Sequence, residues 1–165
     1  MVTGVFNSRE SADKAYMALQ GHGYTSDQIH LIMSDDTHKT HFTHDVVSSG
    51  SRTLSGTGAG AAIGGTVGAV AAAIAAVGSN LVVPGLGLVV AGPIVAALAG
   101  AGAGGAAGSL VGALVGAGIP EERAVIYERD LNHGHIVLGV HAHSAEEAKD
   151  IENELRLYDA HDIHR

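Results

Sequence analysis

The sequence predicts an α+β protein: a ferredoxin-like split βαβ sandwich with one extra helix, interrupted by a glycine-rich hydrophobic helical hairpin. Two observations support this prediction. Residues 53–120 form a run of 68 residues without Asp, Glu, Lys, Arg or His, although the 165-residue chain is charged on both sides of it. The flanking segments show the element orders β-α-β and α-β-α-β, which give a split βαβ arrangement when the run is removed. We therefore predict one split domain from residues 1–52 and 120–165, and an inserted hairpin over residues 53–119.

The first charged segment begins with a short β-strand. Residues 2–6 (VTGVF) contain two Val and one Phe, which are residue types that favour strands. Ser8 can cap a helix that Gly21 and Gly23 end, and residues 29–33 (IHLIM) then form a second strand. The predicted helix carries an apolar stripe at helical spacing: Ala12, Ala15, Tyr16 and Leu19.

The second charged segment begins with a helix. Pro120 suits a first helical turn, and Glu121 and Glu122 favour the positive end of the helix dipole. Gly134 is a helix stop, and residues 135–143 (HIVLGVHAH) follow as a strand. The apolar residues that share a face of this helix are Ala124, Tyr127 and Leu131.

A last helix and strand complete the segment. Ser144 and Glu147 form a capping box, and residues 161–164 (HDIH) form a short final strand. Neither charged segment alone buries both faces of its elements, so we expect the two segments to fold together. An insert that crosses a membrane must therefore cross it an even number of times. The apolar stripe of the last helix is Ala148, Ile151 and Leu155.

Glycine recurs every four residues within the uncharged run. This spacing keeps the glycines on one stripe of a helix, where small side chains let two backbones approach closely. We predict two antiparallel helices over about 56–78 and about 94–118, with a breaker between them at residues 80–93, which include Pro84 and Pro93. The predicted helix-packing residues are Gly56, Gly60, Gly64, Gly68, Gly100, Gly104, Gly108, Gly112 and Gly116.

Three environments could surround this hairpin. Each predicted helix is long enough to span a hydrocarbon core of roughly 30 Å. Glycine in a helix costs about 1 kcal/mol relative to alanine in water, whereas lipid favours the helix because backbone hydrogen bonds must be made internally. We expect a membrane-embedded hairpin. The alternatives are a hairpin buried in a homo-oligomer and a mobile low-complexity linker.

Composition and motifs exclude several classes of function. The chain has no Cys, which excludes disulfides and thiol chemistry. Its net charge of −8 argues against a nucleic-acid partner. The glycines form neither a P-loop nor a dinucleotide-binding fingerprint, and the sequence lacks the G-x-S-x-G and H-E-x-x-H motifs. We therefore predict no enzyme, no nucleic-acid binding, and no cofactor other than a divalent metal.

Eleven histidines are many for a chain of this length. His38, His41 and His44 recur at spacings of three in THKTHFTHD. They form either a weak Zn, Ni or Cu site or part of a polar, solvated connector. The Ser/Thr-rich surroundings, which lack an apolar helical stripe, favour the connector.

Three other candidate metal ligands share one face of the strand at residues 135–143. His135, His141 and His143 lie on this face, and His30 could lie on the equivalent face of the second strand. Such a surface could bind metal or form a pH-sensitive oligomer contact. The alternatives are a solvated face and a face covered by the preceding helix. The opposite face is apolar: Ile136, Leu138, Val140 and Ala142.

Both ends of the chain resemble one bacterial family. The run GIPEERAVIYERDLNHGHIVLGVHAHSAEEAKDIENELRLYDAHDI is similar to the C-terminal signature of general stress protein 17M-like and heat- or low-temperature-induced proteins. The opening VTGVFNSRESADKAYMALQGHGYTSDQIHLI resembles their N-terminal segment, and the glycine-rich centre is shared. The most specific features are I-P-E-E, Tyr127, Gly134 and the apolar strand after it. One departure is Asp159, where the family usually has Gly.

The resemblance implies a stress-induced, membrane-associated protein without established catalytic activity. With the glycine pattern, it predicts a non-enzymatic protein that self-assembles through glycine-zipper helices and stabilises or shapes membrane. The opening MVTGVFNSRE lacks the pattern of a secretory signal, so we expect the α+β domain to be cytoplasmic and the partners to be lipid and further copies of the chain. The alternatives are a cytoplasmic assembly, as a soluble homo-oligomeric shell, tube or filament, and a His-rich metal-binding module.

Overall fold

A computed structural model describes residues 1–41, 81–83, 87–92, 94–95, 110–116 and 119–165. These residues form an α+β structure around one antiparallel sheet, which confirms the predicted class. The strands are β1 (Val2–Phe6), β2 (Ile29–Ser34), β3 (Leu81–Val83), β4 (Leu88–Ala91), β5 (Ile136–Val140) and β6 (His161–His164). The helices are α1 (Arg9–Gly21), α2 (Asp35–His41), α3 (Leu110–Gly116), α4 (Glu121–Asn132) and α5 (Ala145–Leu157).

The elements predicted for the two charged segments are all present, and their capping signals explain where the helices begin. The Ser8 hydroxyl accepts a hydrogen bond from the Ser11 N–H at 3.1 Å, and the Ser144 hydroxyl accepts one from the Glu147 N–H at 3.0 Å. β5 is shorter than predicted, because the chain after Val140 turns into the N-cap of α5.

The sheet has the strand order β3-β4-β2-β5-β1-β6, and every neighbouring pair is antiparallel. β1 pairs with β5 from Val2 opposite Val140 to Phe6 opposite Ile136. β2 pairs with the other edge of β5. Since β1 and β2 are both antiparallel to β5, they run in the same direction with β5 between them.

Helices cover both faces of the sheet. α1 and α5 pack on one face, where Phe6, Leu19 and Leu138 are fully buried, and α3 and α4 pack on the other. Burying a side chain of this size stabilises the fold by about 1.5–3 kcal/mol. Val137 of β5 and Tyr127 of α4 belong to the second core, so the strand face predicted to carry histidines is covered by the preceding helix. The covered face, which was one of the predicted alternatives, therefore replaces the open histidine surface.

Residues 81–83 and 87–92 differ from the predicted breaker between two helices. β3 and β4 form a β-hairpin that extends the sheet beyond β2, with Met33 opposite Val89 and Ser34 opposite Leu88. Alternation explains the strand: Leu88 and Val90 enter the core under α3 and α4, whereas Val89 enters the core under α1 and α5. This part of the insert belongs to the sheet and is not the tip of a helical hairpin.

The structure describes only short parts of the predicted zipper helices. Residues 94–95 are helical, and α3 packs on α4 with Leu110 and Leu114 buried. Gly112 and Gly116 lie on α3, while the other predicted helix-packing glycines lie outside the described residues. Among the helices that can be described, none combines the length and the hydropathy that a membrane crossing requires.

The polar connector predicted after β2 contains a helix. The Ser34 hydroxyl accepts a hydrogen bond from the Thr37 N–H at 3.1 Å, and Lys39 pairs with Asp35 one turn earlier. The buried Thr37 hydroxyl donates to the carbonyl oxygen of Gly134 at 3.2 Å. α2 is thereby fixed to the turn that follows α4.

Candidate metal centre

The C-terminus of α4 places Asp130 and His135 side by side. Gly134 has a φ of 85°, the left-handed conformation that commonly ends a helix. Its N–H donates to the carbonyl of Leu131 at 3.0 Å, and the N–H of His135 donates to the carbonyl of Asp130 at 3.0 Å. These two bonds form a Schellman motif, in which the paired side chains are frequently apolar. Here the pair is a carboxylate and an imidazole.

His161 enters the same region from the start of β6. β6 pairs with β1 through Val5 opposite His161 and Thr3 opposite His164, so β6 contains one more residue than β1 between these pairs. Asp162, within this bulge, has a φ of 47°. Bulges change the direction of neighbouring side chains and are common beside functional sites.

The side chains of Asp130, His135 and His161 converge with their ligand atoms unsatisfied. One ligand atom from each lies within 4.8 Å of the other two, and the two imidazole centroids are 5.6 Å apart. Asp130 Oδ2, His135 Nδ1 and His161 Nδ1 are buried and have no hydrogen-bond partner among the residues that the structure describes. Leaving one such atom unpaired costs about 1–3 kcal/mol. A carboxylate oxygen is an acceptor, and an imidazole nitrogen is one when it carries no proton, so a cation suits the position between these three atoms.

Arg129 and burial set the electrostatics of this cluster. Asp130 is 3% exposed, and its Oδ1 accepts a hydrogen bond from Arg129 Nε at 2.9 Å. Arg129 also lies 3.6 Å from Asp162 on β6. Burial lowers the pKa of His135, although the charge of Asp130 partly opposes this shift. A lowered pKa favours the neutral imidazole, which is the form that binds a metal.

Two imidazoles and one carboxylate form a donor set for zinc and neighbouring first-row metals. Ligands about 2.0–2.1 Å from a tetrahedral zinc lie about 3.4 Å apart. His135 Nδ1 is 4.0 Å from Asp130 Oδ1, so binding would draw the side chains closer together. Three protein ligands leave at least one coordination position for water or a further side chain. The ring of His133 lies 6.1 Å from that of His135.

Of the predicted metal ligands whose side chains can be described, only His135 belongs to this cluster. His141 follows the opposite end of β5, where its ring lies 5.0 Å from that of His30. His143 donates its backbone N–H to Glu147 at 2.6 Å in the cap of α5. A strand rises about 3.3 Å per residue, so His135 and His141 are roughly 20 Å apart and cannot share one ion.

The other predicted triplet gives no site in the described part of the chain. His38 and His41 lie on α2, and His44 lies outside the described residues. Sequence reasoning missed Asp130 and His161, because it sought each set of ligands within one continuous segment of the chain. The available signal was a histidine directly after the helix-ending Gly134, since a Schellman motif pairs that position with Asp130.

Comparison of the chain with protein-family models, curated proteins and solved structures gave no match. The resemblance to the general stress protein family therefore stays a prediction from sequence.

Proposed function

We propose that this protein binds a divalent transition-metal ion of the zinc class through Asp130, His135 and His161. The observation that supports the proposal is the convergence of three buried potential ligand atoms that have no hydrogen-bond partner in the described part of the chain. One cation satisfies all three atoms. The left-handed backbone at Asp162, directly after His161, also supports a binding site, because strained residues cluster where ligands are held.

The bound ion would join the end of α4 to the edge strand β6. Because the unfolded chain does not hold the three ligands together, binding would favour the folded state. A ligand present at one hundred times its dissociation constant stabilises the folded state by about 2.7 kcal/mol. The proposed role is therefore metal-dependent stabilisation or metal sensing.

Calorimetric titration of the metal-free full chain with Zn²⁺ tests this proposal, and Co²⁺ absorption reports the coordination geometry. We expect one tight site per chain and a tetrahedral Co²⁺ spectrum. Asp130→Asn and His161→Ala should each weaken binding at least tenfold. His143→Ala is the matched control, because His143 is exposed in the α5 cap. Equal weakening in the control, or full affinity in both cluster variants, would overturn the proposal in favour of diffuse binding by surface histidines.

We propose a ferredoxin-like assignment for the strands of the charged segments. Numbered in chain order within these segments, the strands β6-β1-β5-β2 have the order 4-1-3-2, with antiparallel neighbours. Packing of α1 and α5 on one face also supports this assignment. α4 would then be the predicted extra helix, and the β3–β4 hairpin an addition to the sheet edge.

We propose self-association as a second function, which the glycine spacing of residues 56–68 favours. β3 begins at Leu81, so the uncharged run before it has 28 residues, residues 53–80. This length allows one membrane crossing of about 20 residues but not the two needed to return to the same side. Burial between copies therefore suits the segment better than a transmembrane hairpin. Contact with lipid and a role in stress stay predictions from the resemblance.

Light scattering of the purified chain with and without detergent tests self-association. We expect particles larger than one chain in both conditions, and smaller particles for Gly64→Leu. A protein that can be extracted only with detergent would instead support membrane insertion. Unchanged particle size in Gly64→Leu would count against packing through the glycine stripe.

A further inference from the structure

A basic cleft lies where the uncharged run rejoins the charged domain. It has a volume of about 230 Å³ and is bounded by the start of α4, by β1 and by the end of β6. Pro120, at the start of α4, forms part of its wall. The polar side chains that line it are Thr3, Arg123, Tyr127, His164 and Arg165.

The charge of this cleft is unusual for the chain. The protein carries a net charge of −8, yet none of the described residues that line the cleft is Asp or Glu. Arg123 makes no ion pair among the described residues, whereas the other described arginines all pair with acids. Arg165 is held by Glu152. Burial, followed by the positive charge of Arg123, lowers the pKa of His164, which indicates that these two side chains lie close together.

We propose that this cleft binds a phosphate group, either of a small phosphorylated molecule or of an anionic lipid headgroup. The planar guanidinium of Arg123 can donate two parallel N–H bonds to phosphate oxygens. The hydroxyls of Thr3 and Tyr127 share a hydrogen bond and provide a neutral polar surface beside it. The volume suits a phosphate with a small substituent, because sites for drug-sized ligands usually occupy about 300–1,000 Å³.

This site is independent of the proposed metal centre. Arg123 and Asp130 are seven positions apart on α4, which corresponds to about 10 Å along the helix axis. Ile119 also lines the cleft and lies in the stretch that joins α3 to α4. A bound phosphate would therefore hold the end of the uncharged run against β1 and β6.

Titration of the full chain with inorganic phosphate and with glycerol phosphate at low salt, followed by NMR, tests the proposal. We expect saturable binding that Arg123→Gln weakens at least tenfold. Lys149→Gln is the matched control, because Lys149 is exposed on α5 and makes no ion pair among the described residues. Circular dichroism should show that both variants keep the native fold and melting temperature.

A second arm separates the two sources of phosphate. Phosphatidylglycerol vesicles and phosphatidylcholine vesicles are offered to the wild-type chain and to both variants. Arg123-dependent binding to the anionic vesicles assigns a lipid headgroup, whereas Arg123-dependent binding of glycerol phosphate alone assigns a small phosphorylated molecule. If neither phosphate nor anionic vesicles bind in a manner that depends on Arg123, the proposal is wrong, and the result leaves the metal proposal unaffected.

Discussion

His30 of β2 accepts a hydrogen bond from the backbone N–H of Ile94 through Nδ1, at 3.1 Å. This bond joins the charged domain to the uncharged insert, across 64 positions of sequence. Because Nδ1 accepts, the proton of the neutral ring lies on Nε2, which is buried and has no partner among the described residues. Protonation of Nδ1 would therefore remove the bond to Ile94.

Acid should weaken the folded protein through His30. Burial, and then the nearby His141, lower the pKa of His30 from 6.5 to about 4. Between these values the unfolded chain binds more protons than the folded one, so stability falls as the pH is lowered from 6.5 to about 4. Over this pH range, the protonation of His30 lowers the free energy of unfolding by at most about 3 kcal/mol. Urea unfolding at pH 7, 5 and 4 measures it.

His30→Asn isolates this contribution, because the Asn carbonyl can still accept from Ile94 and does not titrate. We expect its stability to vary less between pH 7 and pH 4 than that of the wild type. Histidines that lie far from His30 act in both proteins and cancel in the difference, whereas the coupling between His30 and His141 is counted with the contribution of His30. His143→Asn, a change of the same kind at an exposed position, should keep the wild-type pH dependence. Parallel curves for wild type and His30→Asn would contradict the assignment.

Gly92→Ala should detach the β3–β4 hairpin from the sheet. Gly92 has a φ of 90°, and an added Cβ would lie 2.3 Å from the carbonyl oxygen of Ile29. We expect a loss of at least about 2 kcal/mol in the free energy of unfolding, from backbone strain and the clash. Urea denaturation provides the measurement.

Gly87→Ala is the matched control for Gly92→Ala. Gly87 also has a positive φ, of 62°, but an added Cβ would meet no atom within 4 Å. Gly87→Ala should lose only about 1 kcal/mol in the free energy of unfolding, because an L-residue is strained in this left-handed conformation. Equal losses in the two variants would show that the hairpin does not pack tightly on β2.

The sequence predicted the elements of the charged segments because each carries local signals. Ser8 and Ser144 cap helices, and apolar side chains recur with the period of the element. Residues 80–93 were ambiguous, since proline and glycine can mark a turn between two helices or between two strands. The candidate site could not be predicted from the sequence, for a different reason. A helix-ending turn and a strand bulge bring Asp130 and His161 close together. These features depend on the tertiary structure, and the periodicity of the sequence does not indicate them.

Asp159→Gly should stabilise the fold. Asp159 ends α5 with a φ of 63°, and the N–H of Ala160 bonds to the carbonyl of Leu155 at 3.1 Å, as in a Schellman motif. The corresponding positions after α1 and α4 are Gly23 and Gly134. An L-residue in this conformation costs about 1 kcal/mol, although Asp tolerates it better than most. We expect a gain of about 0.5–1 kcal/mol by chemical denaturation.

Two variants control for the charge that Asp159→Gly removes. Asp159→Asn removes the same charge while keeping a side chain, so it should change stability by less than Asp159→Gly. Gly23→Asp makes the reverse change after α1, where an added Cβ would meet no atom within 4 Å, and it should destabilise the fold. A loss of stability in Asp159→Gly would mean that the Asp side chain itself stabilises this turn.

Asp130→Asn should separate metal binding from fold stability. Without metal, the wild type buries a carboxylate whose Oδ2 has no hydrogen-bond partner among the described residues, and an amide removes that buried charge. The lost ion pair involves Arg129, whose side chain is 59% exposed, so solvent screens this interaction. In chelator, we therefore expect the free energy of unfolding of Asp130→Asn to be no more than about 1 kcal/mol below that of the wild type. Zn²⁺ should raise the melting temperature of the wild type but not that of Asp130→Asn. A severe loss of stability in chelator would instead assign Asp130 a structural role.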